Sequence, residues 1–539
     1  MNDFGTISGS KLNIDKCKVL TVSNQLPVIS GIHNIQITKG PETVLGINVG
    51  KSNENKHPQW RDKIKKIENL LTIWKMRDLS IKGRVYILKS VGISSLLYQM
   101  EMQEVGDDIL KEVSKIMFNF LWQNGKPLVK KDICYLPIEN SGLNMVNISV
   151  IVKAKRIQFV LRVLNGELSE PWKIIPLKYF QYFDHRFDID YFALKATDSS
   201  LLIKKSIIPD FYKDCILSFQ EFLRSSNLFD KMDEILWCNT NILFNNDPLV
   251  FPHWSKAGLK SVHQVLKKEG GLDVAKIDSV IINNPCKIFE TAKLKIGIPG
   301  DWKQNELLAK VHDLSLENLL DISVQIDEYG KRKKLGALTC KDIYYVLKNK
   351  NVQVNSYDYW KEKFPEFRIE WTKFFVFNVK NKLISNRISE FNWKIFHGKL
   401  NTEKRLQRMK LSDGRCVICG EIENVDHLFL CCIGLNVFWE NVENLVSNII
   451  ENVVLTNEVI LLGYLDEKID KDKLMTTNFL ISLGKYVLWK RRNYIKYEKR
   501  QIGIHKCFEW YKFELRGFLR IFSNCKLKYV NQFLDCLSL

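Results

Sequence analysis

The sequence predicts a mainly α protein with a small α+β piece at its N-terminus. Three observations lead there. Apolar residues recur at helical spacing through several long stretches. Clear β-branched runs between turn residues are concentrated in the first fifty positions. The 539 residues are 45% hydrophobic, enough for about three or four packed modules and too apolar for wholesale disorder.

Taken in order, Lys18–Val22 and Thr43–Val49 read as strands, with Gly5 and Gly9 as punctuation. From Trp60 the pattern turns helical: Trp60, Ile64, Ile67, Leu70, Leu71 and Trp74 share one stripe, and Lys63, Lys65 and Lys66 mostly lie off it. A second helix is expected from Ile109 to Trp122 and a third from Ser149 to Leu164, carrying Lys153, Lys155 and Arg156. Between them, Gln123–Gly142 reads as loop or short strand. Positions 176–350 carry amphipathic stretches and no repeat, so helices are expected there without an assigned role. From Trp360 the chain is aromatic and basic up to a cysteine cluster, and the last hundred residues read as helical.

The formal charge of +19 points to a polyanionic partner, nucleic acid or an acidic membrane face. It is unevenly placed. Positions 51–90 hold 11 Lys/Arg against 4 Asp/Glu, 371–410 hold 10 against 2, and 481–530 hold 13 against 3. Positions 421–470 reverse the sign, with 1 against 10. Such blocks suggest several binding faces, although basic outer helix faces would give the same pattern. The start has no apolar leader, and no run of about 18 apolar residues occurs, so no membrane partner is expected. Thirteen cysteines without a leader suggest an intracellular, reducing compartment, cytoplasm or nucleus.

Two motifs mislead. Gly46-Ile-Asn-Val-Gly50-Lys51-Ser52 has three residues between its glycines where a phosphate loop needs four. Asp107-Asp108 precedes an expected helix, where capping and the macrodipole favour acids, rather than a metal-binding turn between strands. Asn147-Ile-Ser149 has the form of a glycosylation sequon in a chain with no secretory leader.

The informative cluster is RCVICGEIENVDHLFLCC, residues 415–432. Cys416 and Cys419 form a Cys-x2-Cys knuckle, with Gly420 suited to positive φ. His427 follows, then Cys431 or Cys432. Tetrahedral zinc takes four such ligands, and a site filled by protein on all four sides is structural. A regular helix puts Cys431, four residues from His427, on the same face; Cys432 is five away. Four buried reduced thiols are the alternative reading.

The residues now resemble a family: the C-terminal part of the reverse transcriptase of LINE-type (non-LTR) retrotransposons. Phe4–Leu20 resembles the segment after the catalytic Asp-Asp turn of the palm, and Val44–Gly50 the primer-grip segment, with Leu45, Gly46 and Ile47 at its centre. Trp74–Tyr98 and Phe118–Ile148 resemble the thumb. Phe391–Leu406 with the cysteine cluster is similar to the zinc-binding region, and Phe479–Asn493 to the helix after it. The resemblance covers about 1–175 and 360–500. It implies a palm remnant at 1–50, a helical thumb at 51–175, a helical connector at 176–355, a zinc-binding domain at 356–445 and a C-terminal helical region at 446–539. It also implies Cys432 as the last zinc ligand, with Cys431 as the alternative.

The family's catalytic carboxylates precede the segment that opens this sequence, so the chain as given is expected neither to hold magnesium nor to polymerise DNA. What remains is expected to bind RNA or an RNA/DNA hybrid. Thumb lysines and arginines (Lys63, Lys66, Lys82, Arg84, Lys153, Arg156) would grip the backbone. Trp393, Lys394, Arg405, Arg408 and Arg415 would serve near the zinc region, with core packing the commoner role for a tryptophan. Two other readings stand beside it: a fragment of an active RNA-directed DNA polymerase whose N-terminal half is missing, and a domesticated interaction scaffold.

Overall fold

A computed structural model describes residues 6, 9, 13, 17–20, 36–38, 42–44, 47–49, 58–181, 192–195, 203, 206–226, 228, 232–267, 269–303, 316–327, 330–348, 351–466 and 468–522. The described chain is mostly helical with a few short strands. It divides into two compact units, each drawn from separated segments rather than from one continuous block. The first takes Met1–Trp74, Gly92–Ile116 and Val152–Val346; the second takes Lys75–Val91, Met117–Ile151 and Leu347–Leu539.

At the N-terminus, β1 (Lys18–Leu20) pairs in parallel with β2 (Gln36–Thr38). β3 (Glu42–Val44) pairs antiparallel with β4 (Ile47–Val49), with Thr43 opposite Asn48. The single strand expected over Thr43–Val49 is therefore two paired strands, which satisfies backbone groups that one lone strand would leave open. Leu45 and Gly46 lie outside the described residues; Ile47 opens β4, half-buried.

The helices follow the apolar stripes closely. α1 (Pro58–Lys75) buries Trp60, Ile64, Ile67 and Leu71. α2 (Ile81–Ile87) is capped by Ser80, whose hydroxyl accepts from the Gly83 N–H. α3 (Ser94–Met102) and α4 (Asp107–Leu121) follow, with Asp107 and Asp108 exposed in the first turn of α4, where the helix dipole favours acids. Gln123–Gly142 holds a short helix at Lys131–Tyr135 and a 3-10 turn at Ile138–Asn140, and no strand. α5 (Ile148–Leu164) buries Val152, Ala154, Ile157, Leu161 and Leu164.

The uninformative middle of the sequence holds a core of its own in the first unit. After α6 (Asp210–Ser225), a small hairpin of β5 (Leu243–Phe244) and β6 (Asp247–Pro248) joins Trp237, Trp254 and Val262 around one apolar cluster. The Trp237 indole donates to the Leu259 carbonyl at 2.8 Å, and the Trp254 indole to Glu290 on α7 (Lys287–Gly297) at 2.8 Å. A further hairpin, β7 (Ser323–Gln325) with β8 (Arg332–Lys334), comes before α8 (Cys340–Leu347). The strands were not legible because each is only two or three residues long.

The second unit is built around one long helix. Besides α2 and the short helix Lys131–Tyr135, it holds α9 (Asn355–Lys363), α10 (Trp371–Asn378), α11 (Asn386–Phe396), α12 (Glu403–Arg408), α13 (Leu435–Ser447), α14 (Asn457–Leu462), α15 (Lys471–Glu498) and α16 (Ile504–Phe522). α15 runs 28 residues and is buried on most faces, with α10, α11, α13 and α16 packed against it. Asp470 caps it by accepting from the Asp472 and Lys473 N–H groups. Buried amides fix the register: Asn381 donates to the Met475 carbonyl at 2.7 Å and Asn392 to the Ser482 hydroxyl at 2.9 Å.

Candidate metal centre

Two short local structures bring four ligand atoms together. In the first, the chain folds back between Arg415 and Ile422, which form an isolated antiparallel bridge. The Gly420 N–H donates to the Cys416 carbonyl at 2.9 Å, and Gly420 sits at φ +81°, a region that only glycine enters without strain. The Ile418 N–H points at the Cys416 sulfur, 3.4 Å away. The knuckle thereby presents Cys416 and Cys419 on one side.

The second is a π-helical turn, His427–Cys431, closed by the Cys432 N–H on the His427 carbonyl at 2.9 Å. A π turn hydrogen-bonds five residues apart, one more than an α-helix. That extra residue brings Cys432 back over His427 and turns Cys431 out, exposed. The regular-helix argument for Cys431 fails here because the turn is not α-helical.

The ligand atoms of Cys416, Cys419, His427 and Cys432 all lie within 4.8 Å of one another. Cys416 Sγ and Cys432 Sγ are 3.9 Å apart, Cys432 Sγ and Cys419 Sγ 3.9 Å, and Cys419 Sγ and His427 Nε2 3.1 Å. A Zn–S bond of about 2.3 Å in a tetrahedron separates sulfurs by roughly 3.8 Å, so the donor set fits zinc in type, number and spacing. The neighbouring Cys432 holds the Cys416 thiol down to about 4, whereas the Cys432 thiol is driven up by the same contact and Cys419 by burial. A divalent cation would let all three sulfurs ionise together, releasing protons as it binds. With every position taken by protein, such an ion is structural.

The knuckle is tied into the second unit by buried charge. The Arg492 guanidinium on α15 pairs with Glu423 at 2.7 Å and with Glu403 at the start of α12; all three side chains are 5% exposed or less. Glu423 also accepts from the Glu403 N–H at 2.9 Å, and the Trp439 indole donates to the Phe429 carbonyl at 2.7 Å. These residues were missed in the sequence. The run Lys490-Arg491-Arg492 reads as a basic outer face and hides its buried member.

The basic residues singled out above scatter into different environments. Lys66 and Arg408 are exposed, and Lys63 is half-buried. Arg415 is exposed and donates to the Gly420 carbonyl at 3.1 Å. Lys82 donates to the Val379 carbonyl at 2.5 Å, and burial, with Lys380 nearby, pushes its amine down to about 8. Arg84 donates to the Leu79 and Leu121 carbonyls. Lys153 pairs with Glu221 and Lys394 with Glu390, and Arg405 donates to the Lys399 carbonyl. Two expectations are corrected. Arg156 is 1% exposed, stacks over Phe211 at 4.4 Å and donates to the carbonyls of Met100, Glu101 and Gln103, so it staples the core rather than meeting phosphate. Trp393 is 2% exposed and its indole donates to the Ser141 carbonyl at 2.9 Å, so it is a core residue. Both sit on the wide buried face of their helices, which a narrow apolar stripe underestimates.

The family described as zinc-binding in reverse transcriptase matches residues 339–439, a span that runs from just before α8 into α13 and contains all four converging ligands. This match supports a reverse-transcriptase-related protein. No curated protein matches the chain. Among the described residues, no helix is long and apolar enough to cross a membrane.

Proposed function

We propose that this chain is a nucleic-acid-binding portion of a LINE-type reverse transcriptase, gripping RNA or an RNA/DNA hybrid around a zinc-stabilised knuckle. In this reading the N-terminal strands are a palm remnant, the helices of 51–175 a thumb, and the chain contributes binding rather than phosphoryl transfer. The observation that carries it is the zinc-ligand geometry of Cys416, Cys419, His427 and Cys432 inside the reverse-transcriptase zinc-binding match. The separated basic blocks agree with it, because phosphate contacts are the sequence-independent part of nucleic-acid affinity.

The test uses the full chain. Elemental analysis should find one zinc per molecule, reduced by Cys416→Ser. Binding to RNA and to an RNA/DNA hybrid should be measured over a salt titration, since charge contacts are strongest at low salt. A zinc-free protein that binds neither at low salt would end the proposal, and primer extension with magnesium would overturn the non-catalytic part.

A further inference from the structure

The second unit carries a cleft of about 360 Å³ that no metal-site residue lines. Its walls are the segment into α2, one face of α11, the turn Lys399–Asn401 and the C-terminal half of α15. That volume lies in the range of small-ligand sites, roughly 300–1,000 Å³. Four cations border it, Arg84, Arg387, Lys394 and Lys399, against two carboxylates, Asp78 and Glu390. Arg387 is neutralised by Asp78 at 2.6 Å and Lys394 by Glu390 at 2.6 Å. Arg84 is held on backbone carbonyls with no carboxylate in contact, and Lys399 has no acidic partner among the described residues. The half-buried Lys399 ammonium is pushed down by burial and by Arg405 nearby, so an anion beside it would be stabilised.

The opposite wall is aromatic. Tyr486 and Trp489 sit one turn apart on α15, both half-buried, with Phe391 behind them at 5.4 and 6.3 Å between ring centres. Among the described residues, the Tyr486 hydroxyl, the Trp489 indole N–H and the Asn401 side-chain amide have no hydrogen-bond partner. The cleft therefore places Lys399 and Arg84, neither in an ion pair although Glu390 and Asp78 act on Arg84 at longer range, among the same lining residues as two aromatic rings and free polar groups. Lys490 and Arg492 lie over the Tyr486 and Trp489 rings at 5.1 and 5.0 Å, adding positive charge beside them.

We propose that this cleft takes one unstacked nucleotide of single-stranded nucleic acid, its base against Trp489 and Tyr486 and its phosphate on Lys399 and Arg84. This assignment rests on the nucleic-acid-binding reading above and names the place where a strand is held. Stacking on aromatics with a cationic groove beside it is the chemistry that holds single strands without regard to sequence. A continuous duplex has no exposed base face to offer.

The experiment is fluorescence anisotropy of the full chain with a labelled uridine oligonucleotide of about twelve residues. Lys399→Glu and Trp489→Leu should each weaken binding roughly tenfold or more. Lys506→Glu, the same charge change on α16 outside the cleft, should change it by less than about threefold. Zinc content and thermal melting confirm folding, and the partly exposed Lys399 carries the test should Trp489→Leu not fold. Photocrosslinking of a 5-iodouridine oligonucleotide should map to the peptide holding Tyr486 and Trp489. Wild-type affinity in both cleft variants with crosslinks elsewhere would overturn the cleft and leave the broader reading standing. No binding by the wild type would overturn both. Uridine monophosphate competing as well as the oligonucleotide would overturn the single-strand assignment in favour of a free nucleotide.

Discussion

At the scale of residues, two adjacent cysteines make the sharpest contrast. Cys432 is buried among the other three ligands and Cys431 faces solvent. Cys432→Ser is expected to lose most bound zinc, because serine replaces a thiolate by a poor zinc donor, and Cys431→Ser to keep it. Elemental analysis after gel filtration reads both. His397 carries the clearest pH dependence. Its Nε2–H donates to the Ser141 carbonyl, 3.0 Å away, and burial pushes the ring from 6.5 down to about 4. The unfolded chain takes up a proton below 6.5 that the fold holds off. Stability is therefore whole above 6.5 and falls as the pH drops towards 4, by about 3 kcal/mol from this residue. His397→Gln, which still offers a donor to Ser141, should flatten that part of the urea-midpoint profile; an unchanged difference between pH 7 and 4.5 would exclude the assignment.

At the scale of elements, α1, α4 and α5 lie within two residues of the ends read from apolar spacing, because a 3.6-residue stripe is a local property that packing only has to accept. The π turn at His427–Cys431 was not legible. Its extra residue is selected by convergence with the Cys416–Cys419 knuckle, and nothing in HLFLC alone distinguishes it from an α turn. The same holds for the join between the knuckle, α12 and α15. Arg492 looked like one more member of a basic run, and it is 1% exposed against two carboxylates from distant parts of the chain. Arg492→Met should destabilise the second unit by about 3–5 kcal/mol by leaving Glu403 and Glu423 buried with less compensation, read by urea unfolding. A change under about 1 kcal/mol would mean that the carboxylates find water or protons instead.

At the scale of the whole molecule, the net charge of +19 governs association. If about five phosphates are engaged by a single strand, affinity should fall roughly a hundredfold between about 50 and 200 mM salt, linearly on logarithmic axes. A flat salt profile would rule out a phosphate-led interaction. By itself the sequence determined the helical class, the main amphipathic helices of the first 165 residues and the zinc-type donor set, because periodicity and ligand spacing are written into neighbouring positions. Tertiary structure decided the rest: which of two adjacent cysteines joins the cluster, which arginines and tryptophans are core rather than surface, and which aromatic and basic side chains line one cleft. Those outcomes depend on which segments meet, over separations from 16 residues at the Cys416–Cys432 pair to 252 at Trp393 and Ser141. Burial and neutralisation are properties of that meeting, so no local stretch of sequence contains them.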